Sequence, residues 1–360
     1  MNPYLKIDLN KIEANAKKIV EICHKHDISV LGVTKGFGAI PKIVKAFLNG
    51  GVDGLADSRM RNIMDLHRIN TDTPITLLRI PRLSNVSNVV KYTDVSINSE
   101  LKVIKALGAA AEKLHRQHKI VLMLDVGDLR EGILEKNMLA SAAKILEIKG
   151  IELIGIGTNM GCYGGIIPDT KNLGLLASLA AKIETKLGIK LSVISGGGTS
   201  SLKLVEDNIM PSKINQLRIG EGILLGTDTT NSRIIPYLYQ DTFQLSAEVI
   251  EVKDKPSVPI GIIGKDFFGN VPQFADEGIR KRAIVALGKQ DLYIEGLIPI
   301  ESGVKILGAS SDHLILDITD AERAIHVGDE ITFSLNYSGL LSASTSKYIS
   351  KTFKGGNDLD

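Results

Sequence analysis

Short aliphatic runs alternate with longer amphipathic stretches through the first two thirds of the chain. The runs are VLGVTK (30–35), VDGLADS (52–58), PITLLRI (74–80), DVSINS (94–99), KIVLMLDVG (119–127), IELIGIGTN (151–159), LSVISGGG (191–198) and QLRIGEG (216–222). Between them, residues 100–117, 136–148 and 169–187 repeat their apolar positions at helical spacing. Strands separated by helices return to the same sheet edge as parallel neighbours, so the alternation predicts a parallel sheet. Eight strand-helix units in roughly 200 residues match the count and size of a (β/α)8 barrel. An open doubly wound sheet is the alternative, but no GxGxxG follows the first strand.

After Asp228 the texture changes. FQLSAEVIEVK, VPIGIIG, RAIVALG, VKILGA, HLILDIT and DEITFSL are short and strand-like, separated by Gly, Asp and Pro turns. The expected fold is therefore α/β: a TIM-type barrel over residues 1–228, then a mainly-β domain over 229–360. The N-terminal segment is a candidate to pack on that β-domain, and the tail KGGNDLD is expected to fray.

Composition narrows the function classes. A net charge of +2, 4% aromatic residues and no Trp argue against binding nucleic acid through a basic, stacking surface. Cys23 and Cys162 are too few for a disulfide framework and suit a reducing cytoplasm. MNPYLKIDLN has no apolar signal region and no run reaches 18 apolar residues, so a soluble, cytoplasmic protein without membrane contact is expected.

Barrel chemistry sits at the carboxyl ends of the strands. Those ends carry Thr34-Lys35, Asp57-Ser58, Arg79, Asn98, Asp125 with Arg130 beyond it, Thr158-Asn159, Ser195 to Thr199, and Arg218 to Gly220. Lys35 closes an apolar strand; it either leaves into water or, partly desolvated, forms a Schiff base with a carbonyl. ISGGGTSS (194–201) and LRIGEG (217–222) can expose backbone amides to an anion or be plain turns; phosphate sites after strands seven and eight recur in this architecture. Arg130 either pairs with Asp128 or Glu131 at the surface or faces the site. Arg218 lies inside a strand-like segment and needs a buried acceptor or a ligand. A lysine, two arginines and a phosphate cup suit pyridoxal 5′-phosphate. His24, His26, His67, His115 and His118 read as solvated residues of helical stretches. No HExxH or CxxC spacing points to a metal.

These residues resemble the motifs of the alanine racemase superfamily, the fold-type III pyridoxal-phosphate enzymes, and within it the amino-acid racemases typified by ornithine racemase. The likeness runs from YLKIDLNKIEANAKKI (4–19) through the barrel into the β-domain. VTKGFG stands where the family's cofactor lysine stands, DVGDLREG resembles its aspartate-x-glycine-x-x-arginine motif, and RIGEGILLG its arginine-x-glycine motif. ILGASSDHLILDIT looks like its glycine-x-x-serine-x-aspartate segment. The resemblance implies that Lys35 carries the cofactor and serves as the base on one face. It implies that Arg218 faces the pyridine nitrogen and that Arg130 faces the cofactor phenolate or the substrate carboxylate. Ser195, Gly198, Thr199 and Gly220 would hold the phosphate, and Asn159 falls where alanine racemases have a histidine near the ring. It further implies a homodimer in which each β-domain completes its neighbour's site.

The chain departs from that pattern in two places. Ile262 follows Gly261 where the family's second catalytic tyrosine is expected, and Ala39 replaces a phosphate-binding tyrosine. The opposite-face acid is sought among Tyr337, His313, Asp312, Cys162 and Tyr163, each of which also has a purely structural reading. Asp312, Asp291 and Glu221 are candidates to pair with the ammonium of a basic substrate such as ornithine. Three rival functions fit the same residues. One is a fold-type III aldolase or dehydratase with Asp312 and His313 on a divalent metal. The others are a non-catalytic cofactor carrier, and a barrel enzyme whose lysine attacks a sugar or keto acid directly.

Overall fold

A computed structural model of the chain describes residues 3–69, 72–266 and 268–356. The chain divides into two compact units. One runs from Leu9 to Gln240; the other joins strand β1 (Tyr4–Asp8) to the chain from Asp241 onward.

The first unit is a closed barrel of parallel strands. They are β2 (Ser29–Val33), β3 (Gly54–Asp57), β4 (Ile75–Leu77), β5 (Val95–Asn98), β6 (His118–Leu124), β7 (Ile151–Thr158), β8 (Val193–Ser195) and β9 (Gln216–Ile219). β9 pairs back onto β2, with Leu31 opposite Arg218. Helices at Leu101–Lys113, Glu135–Leu146 and Thr170–Leu187 occupy the three stretches of helical spacing. The last of these shows why its limits are sharp. Asp169 accepts hydrogen bonds from the Lys171 and Asn172 amides at its start, and Gly188 ends it in the left-handed region at φ 65°. Inside the barrel Ile97, Val121 and Met123 pack as one layer and Leu31, Val33 and Ala56 as another, which fills the interior and leaves chemistry to the strand ends. β8 is short, yet the chain beyond it keeps its place beside β9: the Gly196 amide donates to Gln216 O and the Arg218 amide donates to Gly197 O, both at 2.9 Å. The unit continues past Asp228 through a small hairpin, β10 (Thr227–Asp228) with β11 (Arg233–Ile234).

One histidine departs from the expected pattern. The helix before β6 ends at Lys113, His115 takes φ 52°, and His118 therefore opens a strand instead of closing a helix. It is buried, with its Nε2 2.8 Å from Ser96 Oγ, and burial pulls its pKa down to about 4.

The second unit is an antiparallel sheet. Its long strand β12 (Phe243–Pro256) pairs with β1, β13 (Ile279–Val285) and β17 (Glu330–Leu335). β14 (Leu297–Pro299), β15 (Lys305–Ala309) and β16 (Leu314–Asp317) extend it in the order β14-β17-β12-β13-β16-β15. β18 (Ser350–Lys354) lies parallel to β1. Most of the strand-like segments read from the sequence appear here, but VPIGIIG does not form a strand. Gly261 sits at φ 126°, Pro259 lacks a donor, and Ile260 and Ile262 are fully exposed with no partner strand. Lys354 ends β18, so the tail's first residue is ordered in a strand; residues 357–360 of the tail lie outside the described residues. Among the described residues no helix is long and apolar enough to cross a membrane.

Candidate active site

The lysine that ends the first barrel run does not escape into water. Beyond Val33 the chain makes a single 3-10 turn, Thr34–Phe37, closed by Gly38 at φ 64°. Phe37 anchors the turn from below, its ring edge-on to Phe47 at 5.2 Å. Thr34 Oγ1 donates to Asp57 Oδ2 at 2.6 Å, and that buried carboxylate also accepts from the Arg59 amide and Asn62 Nδ2. Lys35, fixed between these anchors, is half-buried and has no hydrogen-bond or ion-pair partner among the described residues. Burial, with Arg130 and Arg218 adding repulsion, lowers its pKa; Cys162 and Asp57 oppose the shift.

Lys35 faces a cavity of about 320 Å³ at the carboxyl ends of the strands. Arg79, Arg130, Glu131, Asn159 and Arg218 line it with Ser58, Leu78, Ile80 and Ile97. Arg218 is buried against neutral oxygens alone: Nη1 donates to Ser195 Oγ at 2.5 Å, and Nη2 donates to Thr158 O at 2.7 Å and Asn159 Oδ1 at 3.4 Å. Burial pulls its pKa down to about 10, so it stays charged at neutral pH, and its hydrogen bonds among the described residues reach no carboxylate. A buried cation so placed favours an acceptor-bearing ligand.

Arg130 reaches the cavity from a loop that folds back on β6. Asp125 Oδ1 accepts from the Gly127 and Leu129 amides, and the Ile133 amide donates to Met123 O at 2.8 Å. Arg130 then grips Glu131 through Nε and through Nη2, the latter 2.6 Å from Oε1, and this raises the guanidinium's pKa. Asp128 takes a different task. Buried, it accepts from the amides of Gly161 (3.1 Å), Tyr163 (3.2 Å) and Gly164 (3.1 Å), tying the loop after β6 to the loop after β7. The Asn159 carboxamide lies between the two guanidiniums; in its other orientation its oxygen turns from Arg218 to Arg130.

The glycine turns after β8 and β9 offer bare backbone. A Cβ on Gly198 would come 3.1 Å from Arg218 O, and one on Gly220 would come 3.1 Å from the Val33 Cβ. Thr199 Oγ1 accepts from the Gly222 amide at 3.1 Å, which joins the two turns. These turns and the charge on Arg218 make a setting able to take an anionic ligand.

Lys35, Arg130, Asn159 and Arg218 thus meet around one cavity, with Ser195, Gly198, Thr199 and Gly220 in the adjoining turns. Tyr337, His313 and Asp312 belong to the β unit. Asp312 and His313 stand on the exposed turn between β15 and β16, their amides donating to Ser310 Oγ. Tyr337 is half-buried and opens the helix Tyr337–Thr345. Cys162 and Tyr163 are exposed, and Asn159 Nδ2 lies 3.2 Å from Cys162 Sγ. Glu221 spends its Oε1 on Thr227 and Thr229, and Asp291 accepts from the Gly288 amide. By sequence Glu131 is one of two possible surface partners of Arg130; its place in the cavity wall follows from the fold-back of the loop, which no local pattern announces.

A profile of the alanine racemase N-terminal domain matches residues 7–228. The chain is 44% identical to the ornithine racemase of Acetoanaerobium sticklandii over 98% of its own length and 99% of that protein's. It is likewise 44% identical to the lysine racemase of Thermotoga maritima over 98% of each. Among solved structures it is similar to the alanine racemase of Streptomyces lavendulae, with TM-score 0.77, 16% identity, and coverage of 99% of this chain and 98% of the other.

Proposed function

The chain belongs to the alanine racemase family, and from that premise we propose that it interconverts the L and D forms of ornithine or lysine with pyridoxal 5′-phosphate held at Lys35. The observation that carries this reading is the half-buried, partnerless amine of Lys35 facing a cavity beside Arg218 and two turns of bare glycine.

When bound, the cofactor supplies an aldehyde for the substrate amine and an electron sink for the α-carbon. The chain's own residues do the rest. Lys35, its proton loosened by burial, can take the α-proton at Nζ on one face. Arg218, held by Ser195 and Thr158, keeps its proton near neutrality and would offer it to the ring nitrogen of the bound cofactor. Gly198, Thr199 and Gly220 present the phosphate cradle, and Ser195 keeps its hydroxyl proton to donate there. Arg130 at the rim is placed for the substrate carboxylate. Asn159, between the arginines, spaces their charges.

Racemisation needs a second acid on the opposite face. We assign it to the β unit of a second copy in a homodimer, with Tyr337, His313 and Asp312 as the candidates to carry the proton and Cys162 and Tyr163 of the barrel unit as the alternatives. The compartment we assign is the cytoplasm, on the low cysteine content of the chain.

The test is a chiral assay of the purified enzyme on ornithine, lysine, alanine and serine, run beside Lys35→Ala. The wild type should carry the visible absorbance of a lysine-bound cofactor and racemise a basic amino acid; the variant should lose both. Racemisation surviving in Lys35→Ala, or cleavage products in place of the enantiomer, would overturn the assignment.

A further inference from the structure

A diamino-acid substrate carries a second ammonium group, and the cavity at Lys35 is already crowded with positive charge. Lys35, Arg79, Arg130 and Arg218 all line it. Among the described residues lining it, Glu131 is the one carboxylate. We infer that Glu131 determines specificity: its carboxylate, held in the cavity wall by Arg130, receives the terminal ammonium of the basic substrate. This rests on the racemase reading above and names the group that would select its substrate.

The other acids near the strand ends are not among the residues that line the cavity, and each holds neighbouring groups of its own. Asp57 is saturated by Thr34, Arg59 and Asn62. Asp125 holds the Gly127 and Leu129 amides, and Asp128 holds the 161–164 loop. Glu221 is taken by Thr227 and Thr229. Glu131 has capacity left. An ionised carboxylate offers about four lone-pair sites, and the two-point contact with Arg130 uses two of them. Its side chain is only 18% exposed, so it has little freedom to leave the wall and little water to replace a partner. An ammonium brought among these cations without an acid would be strongly disfavoured. A substrate lacking the ammonium leaves Glu131 to Arg130 and makes no demand on it.

The test is a cycle of two proteins and two ligands. Racemic ornithine and racemic norvaline have the same carbon chain and differ by the terminal ammonium; using racemates means turnover leaves the ligand pool unchanged. Dissociation constants for the cofactor-loaded wild type and Glu131→Gln are measured by calorimetry, with the visible cofactor band recorded for both. Ornithine binding should weaken on the order of 100-fold in Glu131→Gln while norvaline binding holds and the band persists. Equal weakening of both ligands would show Glu131 merely positions Arg130, and unchanged ornithine binding would place the ammonium elsewhere, including on a second copy; either overturns the inference. A wild type with no visible band that binds neither ligand overturns the racemase reading itself, a result distinct from both. If Glu131→Gln does not fold, Glu131→Asp carries the cycle with racemic lysine beside ornithine. Withdrawing the acid by one methylene should shift preference toward lysine, and an unchanged ratio overturns the inference.

Discussion

Asp128→Ala removes a buried carboxylate that ties the Arg130 loop to the loop after β7. The wild-type carboxylate is 2% exposed and accepts three amides at 3.1 to 3.2 Å. A hydrogen bond to a charged group contributes about 1.5–3 kcal/mol, so simple addition would give roughly 4.5–9 kcal/mol. That sum is too large here. Tyr163 and Gly164 are exposed, and their amides will find water once released. Bonds that share one acceptor also do not add. The expected loss is about 3 kcal/mol, or a melting point lowered by about 6–12 °C for a unit of this size. Asp128→Asn should lose about 2 kcal/mol, because one carboxamide oxygen still accepts while its NH2 group faces an amide. Urea unfolding gives the free energy, and amide hydrogen exchange gives the location. The Gly161, Tyr163 and Gly164 amides should lose protection in the alanine variant while those of β6 keep theirs. Unfolding within about 0.5 kcal/mol of wild type, or unaltered exchange at those three amides, would refute the reasoning.

Two further outcomes test the barrel. The unfolded chain binds the His118 proton below pH 6.5, whereas the folded chain resists it down to about 4. Stability from this group is therefore complete above pH 6.5 and lost as the pH falls to 4, a change of about 3 kcal/mol. Urea unfolding across that window should show a shallower pH dependence in His118→Gln; equal slopes would sink the claim. Gly155 lies where β7 meets β8, and a Cβ there would sit 2.0 Å from Val193 O, a backbone atom that cannot turn aside. Gly155→Ala should cost about 3 kcal/mol by thermal melt, and a melting point equal to wild type would contradict the close approach.

The eight strands and the three clear helices could be read along the chain because period and capping are local properties. Asp169 and Gly188 bracket their helix through neighbours within three or four residues. Residues whose state depends on distant neighbours were harder to place. His118 looks like the polar end of a helix until Ser96 of the neighbouring strand is seen against it. Ile260 and Ile262 have strand propensity but no strand to pair with, and propensity alone forms no ladder.

From residue order came the barrel, the β unit, and a lysine and an arginine at strand ends facing one cavity, since alternation sends every strand's carboxyl end the same way. The pairing of charges did not come from order. Asp128 and Glu131 flank Arg130 alike in DVGDLREG, yet the fold turns one carboxylate inward onto the amides of another loop and leaves the other in the cavity wall with the guanidinium. Which partner an ionised group takes depends on burial and on direction between strands remote in the chain, and both exist only once the barrel has closed.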